Sequence, residues 1–208
     1  MKEVNSIYQK YIKKLMDRLL AAVGLICFFW LYLIIAIAIK IDDPDGPVIF
    51  KQDRLGQYGK VYQMYKFRSM KVGAEHMGSG VYSGKHDTRV TRVGRILRAT
   101  SLDEIPQLVN LLKGEMSLIG FRSPLTYHPW PYEEYTAEQK RMFDVRPGIT
   151  GWAQVNGRKT VEWHKRIELN VWYAEHISFF LDLKIFFLTI VKVLRNSDNA
   201  NIGETLQK

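Results

Sequence analysis

The sequence predicts a mixed α/β fold that is mostly helical, with a small β-hairpin, a membrane-embedded N-terminal helix and a C-terminal helix at the membrane interface. Three observations support this: an uncharged apolar run near the N-terminus, two strand-like segments separated by glycines, and helical spacing of apolar residues in the second half. With 208 residues, the chain is long enough for one domain with an appendage. We divide it into a membrane-associated helix (1–41), a body (42–176), and an amphipathic helix with a polar tail (177–208).

The apolar run extends from Leu19 to Ile39 without a charged residue. As a helix with a rise of ~1.5 Å per residue it would measure roughly 32 Å, close to the ~30 Å of a bilayer core. A buried core helix is the alternative, but such helices seldom stay apolar on all sides for this length. Lysines and arginines both precede and follow the run, so charge alone does not decide between crossing and re-entering the bilayer.

Beyond the run, the segments Val48–Asp53 and Lys60–Phe67 predict a hairpin. Residues 73–84 carry four glycines and little periodicity, which indicates a loop. A basic stripe on a helix is then predicted by an arginine at every third position, namely Arg89, Arg92, Arg95 and Arg98.

The next helix is predicted to start at residue 102 or 103. Ser101 and Glu104 have the spacing of a capping box, and Pro106 is tolerated in a first turn. The last helix is predicted over Ile177–Arg195, with a basic arc opposite an apolar one. Both a core helix and an interfacial helix fit this pattern.

The charge balance predicts an anionic partner. Lys and Arg number 30 against 21 Asp and Glu, a net charge of +9, which suits nucleic acid, a phosphorylated metabolite or an acidic membrane face. The single cysteine, Cys27, excludes an internal disulfide and a multi-cysteine zinc site. The sequence lacks an HExxH motif, a nucleophile elbow and a complete Walker loop, so ATP-driven chemistry has no support.

Asp103 and Glu104 are the main candidates for chemistry. Acidic residues at a helix start ordinarily complement the helix dipole. The alternative is phosphoryl transfer, in which one carboxylate is the nucleophile and the other holds Mg²⁺. Three segments offer phosphate-binding side chains and turn glycines: Lys66–Arg68, Gly120–Arg122, and Arg146–Gly151 with the following Asn156–Arg158.

Taken together, these segments resemble the bacterial sugar transferase family, the small monotopic polyprenyl-phosphate phosphoglycosyl transferases. The resemblance covers nearly the whole chain, and its motifs occur in family order. In this sequence they are Tyr65–Met70, Thr91–Arg95, Ser101–Leu108 running on through Leu112–Gly120, Arg146–Arg158 and Phe179–Lys184.

The resemblance implies a two-step transfer at the cytoplasmic face of the bacterial inner membrane, the first membrane step of glycoconjugate or polysaccharide biosynthesis. Asp103 would attack a UDP-sugar and release UMP, and the phosphosugar would then pass to a polyprenol phosphate such as undecaprenyl phosphate. Glu104 would hold Mg²⁺. Contacts with the diphosphate and uridine are expected from Lys66, Arg98, Arg122, Arg146 and Arg158. The expected partners are the UDP-sugar, polyprenol phosphate and membrane lipids, without nucleic acid, and a homo-oligomer is compatible with this scheme.

The sequence departs from the family pattern at three places. The family commonly has a Ser-Pro break in its apolar run, which lets the helix enter one leaflet and return, whereas Ile26–Trp30 contains no proline. The resemblance nevertheless implies a re-entrant helix, because UDP-sugars are cytoplasmic and the body must lie on the same side as the basic N-terminus. The usual Gly-Pro-Arg-Pro is replaced by Gly120–Pro124, which retains Arg122. Asn170 stands where an acidic residue often precedes an aromatic pair.

A second hypothesis is a membrane-tethered protein without catalysis that binds nucleic acid or acidic lipid through the stripe from Arg89 to Arg98. It accounts for the charge but gives Asp103 and Glu104 no purpose. A steep salt dependence of nucleic-acid binding would be its signature.

Overall fold

The computed structural model describes residues 6–77, 87–157 and 162–194, and within these ranges the chain is mostly helical. The helices are α1 (Lys13–Cys27), α2 (Phe29–Asp42), α3 (Arg92–Thr100), α4 (Gln107–Lys113), α5 (Ala137–Lys140), α6 (Trp152–Val155), α7 (Trp163–His176) and α8 (Phe179–Leu194). The strands are β1 (Ile49–Leu55), β2 (Val61–Phe67), β3 (Ser117–Ile119) and β4 (Gly148–Thr150). The predicted mostly helical fold with a small antiparallel hairpin is confirmed.

The apolar run forms two helices with a sharp bend between them. The bend between Tyr8–Cys27 and Phe29–Asp42 is 62°. It occurs at Phe28, whose φ of -95° and ψ of 6° are not those of an α-helix. In the described part of the chain, no single helix is long and apolar enough to cross a bilayer, but this bent pair meets the criteria of length and composition when taken together. The break therefore falls within Ile26–Trp30, the segment that lacks the family's proline.

The two halves of the bent pair pack on different parts of the body. Ala21 of α1 is fully buried against β2 and α4, whereas Ile39 of α2 packs with Leu97 of α3. A Cβ atom at Gly24 would lie 3.0 Å from Cδ1 of Leu108, so the absence of a side chain lets α1 approach α4 closely. The N-terminal helices thus share a core with the body.

Strands β1 and β2 form the predicted hairpin. They pair antiparallel from Ile49 opposite Phe67 to Leu55 opposite Val61, with a 3₁₀ turn at Gln57–Gly59 between them. The first strand runs two residues beyond the predicted end at Asp53. Lys66 lies near the end of β2, which places its side chain beside the turn that follows α3.

Strands β3 and β4 form a short parallel pair that requires very close backbone contact. Ser117 pairs with Gly148, and Ile119 pairs with Thr150. A Cβ atom on Gly151 would lie 1.8 Å from the carbonyl oxygen of Gly120, and a Cβ atom on Gly148 would lie 2.1 Å from the backbone nitrogen of Gly120. This internal packing accounts for the glycines, which the sequence had suggested for approach to an anion.

Two buried carboxylates attach α1 to the body. Asp17 pairs with Arg146 at 2.8 Å, and Asp182 of α8 pairs with Lys13 and accepts a hydrogen bond from Tyr173 at 2.6 Å. All of these side chains are more than nine-tenths buried. The first and last helices are therefore held against the body by polar contacts inside the protein.

Arg89 does not belong to the predicted basic stripe. Helix α3 begins at Arg92, and Thr91 caps it by accepting a hydrogen bond from the Gly94 nitrogen. Arg89 is buried in the preceding loop, where it pairs with Asp87 at 2.6 Å and donates to the carbonyl oxygen of Ala74 at 2.7 Å. The spacing of three residues placed Arg89 on the helix as well, because spacing alone does not reveal that the helix begins only after the cap at Thr91.

The predicted capping box at Ser101 is wrong. Ser101 has a φ of 59°, its side chain caps no backbone N–H, and the residue ends α3 instead of starting α4. A 3₁₀ turn at Leu102–Glu104 follows, and α4 begins only at Gln107, with Pro106 at its N-cap. The spacing resembled a capping box, but spacing does not reveal the left-handed backbone of Ser101, which makes no side-chain cap.

Large apolar side chains on α1, α2 and α8 face outwards. Trp30 is 60% exposed and Phe180 is 80% exposed, whereas on α8 the side chains of Asp182 and Ile185 are buried. The alternative of buried core helices, left open for both segments, does not fit this exposure. The other exposed apolar residues of these helices include Leu19, Val23, Ile26, Phe29, Leu33, Ile37, Phe187 and Val193.

Candidate active site

Asp103 and Glu104 occupy the 3₁₀ turn at Leu102–Glu104, between the end of α3 and the start of α4. The left-handed Ser101 reverses the chain before the turn, and Pro106 fixes the start of α4 after it. Successive side chains on such a turn point about 120° apart, so the two carboxylates point in different directions. Both are partly buried.

Three of the predicted cationic residues surround this turn. Nζ of Lys66 donates to Oε1 of Glu104 at 2.9 Å, and Nη1 of Arg122 lies 3.9 Å from the same oxygen. Arg98, in the last turn of α3, is close enough to Asp103 to affect its ionisation. β2, α3 and the segment after β3 therefore bring Lys66, Arg98 and Arg122 together, as predicted.

Burial raises the pKa of the Asp103 carboxyl above its ordinary value of 3.8. The positive charge of Lys66 acts in the opposite direction, the negative charge of Glu104 raises the pKa further, and Arg98 and Arg122 lower it. A carboxylate that is desolvated and surrounded by cations is suited to attack an electrophile that carries negative charge.

A cleft of about 250 Å³ opens beside the turn. It lies between the bend at Phe28, the turn itself, the β4–α6 segment and the C-terminal part of α8. Glu104 and Arg122 line it, whereas Asp103 is adjacent to the lining. The other lining residues are Phe28, Ser101, Ile105, Leu108, Ile149, Thr150, Gln154, Val155, Thr189, Lys192 and Val193.

Two predicted substrate contacts are not part of this arrangement. Arg146 is buried, and besides its pairing with Asp17 it donates to the carbonyl oxygen of Met116 at 3.1 Å. These contacts occupy its guanidinium inside the protein and give it a structural role. Arg158 lies outside the described residues.

Glu104 is the only predicted metal ligand. Among the residues of 6–77, 87–157 and 162–194, no group of three or more His, Cys, Asp and Glu side chains is placed to hold a metal ion. A cation bound at Glu104 would therefore need most of its ligands from substrate phosphate or water.

Comparison with known proteins places the chain. The model of the bacterial sugar transferase family matches residues 8–196. The chain belongs to this family.

Curated relatives of this sugar transferase carry specific names. The uncharacterized sugar transferase EpsL of Bacillus subtilis (strain 168) is 45% identical over 183 residues, which cover 88% of this chain and 87% of the relative. The UDP-glucose:undecaprenyl-phosphate glucose-1-phosphate transferase of Xanthomonas campestris pv. campestris is 43% identical over 88% of this chain but only 38% of its own length. The UDP-N-acetylgalactosamine-undecaprenyl-phosphate N-acetylgalactosaminephosphotransferase of Aeromonas hydrophila is 38% identical over 88% of this chain and 44% of its own length. The chain spans less than half of these last two relatives.

Two buried amides of this sugar transferase have polar atoms that no described residue pairs with, and sequence reasoning assigned neither side chain to a site. Gln154 is only 7% exposed, and neither its Nε2 nor its Oε1 makes a hydrogen bond with a described residue. Oδ1 of Asn170 is likewise unpaired within those ranges. No charge pattern marks an amide, so the available signal for Gln154 was its place within the Arg146–Arg158 motif.

Proposed function

We propose that the protein transfers a sugar-1-phosphate from a UDP-sugar to a polyprenol phosphate, such as undecaprenyl phosphate, and releases UMP. The observation that carries the proposal is the partly buried Asp103–Glu104 pair, with Lys66, Arg98 and Arg122 around it, beside an open cleft. Cations placed this way suit a substrate diphosphate. The family and the names of the relatives support the same reaction class. Because those names include both glucose and N-acetylgalactosamine, the proposal stops at the class of donor.

The proposed chemistry has two steps. A carboxylate oxygen of Asp103 attacks the β-phosphorus, and the bond between that phosphorus and the bridging oxygen breaks, so that UMP leaves with the oxygen. A phosphate oxygen of the polyprenol phosphate then attacks the phosphorus held on Asp103, forms the polyprenol diphosphate sugar and returns the carboxylate. Lys66 and Arg122 would bind the phosphate oxygens and offset their charge.

Glu104 is the proposed Mg²⁺ residue. Its carboxylate is a hard oxygen ligand next to a diphosphate site, and Mg²⁺ is usually bound by one or two carboxylates together with substrate phosphates, so the residues present fit this ion. When bound, Mg²⁺ would neutralise charge on the diphosphate. Lys66 already pairs with Glu104 at 2.9 Å, which orients that carboxylate.

The position of the cleft fits a lipid acceptor. Phe28 at the helix bend and Val193 of α8 both line it, and both belong to segments with outward-facing apolar side chains. We propose that these segments lie in the cytoplasmic leaflet of the bacterial inner membrane, with the bent pair re-entering on the side from which it came. In this arrangement 1–41 and 177–208 form the membrane-associated parts and 42–176 the cytoplasmic body.

Asp103→Asn tests the nucleophile. Purified protein in detergent is expected to release UMP continuously from a UDP-sugar when Mg²⁺ and polyprenol phosphate are both present, and the variant should release none above background. Without acceptor, the unmodified protein should also exchange labelled UMP into UDP-sugar, because the first step is reversible. Asp53→Asn, at an exposed site on β1, is the matched control and should keep full activity. Undiminished UMP release by Asp103→Asn would refute the assignment.

Stability distinguishes a lost nucleophile from a lost fold. Because the folded-state pKa of Asp103 is raised, the folded protein holds this proton more tightly than the unfolded chain, and the associated stability falls as pH rises from 3.8 towards the raised value. At neutral pH the ionised carboxylate therefore costs stability. Asp103→Asn should melt no lower than the unmodified protein.

A further inference from the structure

Gln154 is a buried polar side chain that no residue in the described ranges pairs with. It lies in the single-turn helix α6, is more than nine-tenths buried, and its amide nitrogen and oxygen both lack a hydrogen bond to any described residue. Buried amides are nearly always paired, because an unpaired one loses the hydrogen bonds that water gave it. Gln154 is also one of the residues that line the cleft with Glu104 and Arg122.

We propose that Gln154 is a specificity-determining residue of the donor site, where its amide binds a neutral group that presents a hydrogen-bond donor next to an acceptor. This inference rests on the proposed function, since it takes the occupant of the cleft to be a UDP-sugar. An amide offers two donors and an acceptor without charge. It is therefore matched to a neutral part of the substrate, while Lys66 and Arg122 are matched to the diphosphate.

A UDP-sugar carries three groups of this kind. The uracil ring has an N–H beside a carbonyl oxygen, and the ribose and the transferred sugar each have neighbouring hydroxyls that donate and accept. The lining of the cleft also includes the apolar residues Ile149 and Val155. Apolar walls favour the flat uracil ring, because a ribose or a sugar there would leave other hydroxyls without partners. The experiment separates the uridine from the transferred sugar.

A purely structural role for Gln154 makes a different prediction. A buried amide that holds the fold together forms hydrogen bonds, and its removal lowers the melting temperature. Replacing an unpaired amide with an apolar side chain of similar length removes a desolvation cost instead. Gln154→Met should therefore melt at the same temperature as the unmodified protein or higher.

The test compares Gln154→Met, Gln154→Asn and the control Gln63→Met, which changes an exposed glutamine of β2, in the full chain in detergent. We expect Gln154→Met to raise the KM for the UDP-sugar by about 10- to 100-fold, with kcat changed much less. Gln154→Asn keeps the amide but shortens the side chain by one methylene, so its KM should lie between those of the unmodified protein and Gln154→Met. The control should match the unmodified protein.

Binding of UMP identifies the source of the group. If Gln154→Met weakens the Kd for UMP as much as it raises the KM, the partner belongs to the uridine; if UMP binding is unchanged while the KM rises, the partner is the transferred sugar. The proposal is overturned if both constants stay within twofold of the unmodified values, or if either variant lowers the melting temperature by several degrees. The proposed function has its own test, and it fails if the unmodified protein releases no UMP from any UDP-sugar. In that case the binding of UMP would still test the role of Gln154.

Discussion

Asp103 shows how position changes the chemistry of a common residue. Its carboxyl is desolvated by the fold and lies next to a second carboxylate, and both effects raise its pKa. Lys66, Arg98 and Arg122 act against them. The three cations therefore have two functions in the proposed reaction: they bind the diphosphate, and they keep enough of Asp103 ionised to act as a nucleophile.

A pH profile tests this balance. Only the ionised Asp103 attacks, so kcat/KM for the UDP-sugar should fall as pH drops through its raised pKa. Arg98→Met removes a charge that lowers this pKa, and should move the acid limb of the profile to higher pH. Arg95→Met, on the exposed side of the same helix, is the control and should leave the limb in place. Identical limbs in the two variants would contradict the role given to Arg98.

Helix α1 is attached to the body through buried charges. The carboxylate of Asp17 accepts hydrogen bonds from Nη2 of Arg146 at 2.8 Å and from the backbone nitrogen of Leu118 at 2.9 Å. Such pairs stabilise little over an apolar replacement, but removing one partner leaves the other buried and uncompensated. Arg146 is therefore needed in the family motif for the packing of the first helix.

Asp17→Leu should be strongly destabilising, because it leaves the Arg146 charge buried without a partner, at a cost of about 3–5 kcal/mol. The double variant Asp17→Leu/Arg146→Met should recover most of that loss, as measured by thermal or denaturant unfolding in detergent. Lys14→Met, exposed on the same helix, serves as the control. The double variant should also keep its KM for the UDP-sugar. A raised KM in a stable double variant would return Arg146 to the substrate site.

Large apolar side chains lie exposed on the bent N-terminal pair and on α8. In a soluble fold these faces would be buried or covered. The bent pair bears them at one end of the chain and α8 at the other, while Lys13–Asp182 joins the two elements. A bend of 62° places the second half of the pair along the body and not straight ahead of it.

Thiol labelling tests whether the bent pair re-enters. Cys27 is the one cysteine of the chain, so Cys27→Ser provides a background for Ser6→Cys and Lys60→Cys, two exposed positions before and after the pair. In sealed inside-out vesicles, a membrane-impermeant reagent should label both positions from the cytoplasmic side. Labelling of one position inside and the other outside would show that the pair crosses the bilayer.

The features that could be predicted are those written in short stretches of sequence. Alternating residues around two glycines define the hairpin, the uncharged run defines the apolar helices, and two adjacent acidic residues mark Asp103 and Glu104 as candidates. The capping box and the Arg89 stripe failed at this same level, because a spacing pattern does not contain the backbone angle at Ser101 or the cap at Thr91.

Local pattern therefore fixed the helices, the hairpin and the candidate carboxylates of this sugar transferase, since each depends on neighbours a few positions away. The bend at Phe28, the burial of Arg146 with Asp17 and the unpaired amide of Gln154 depended on contacts between residues far apart in the chain. Asp17 and Arg146 are 129 positions apart. An arginine that pairs with a buried carboxylate stabilises the fold, whereas an arginine beside the cleft can bind substrate. The tertiary structure determines which of these environments each arginine occupies.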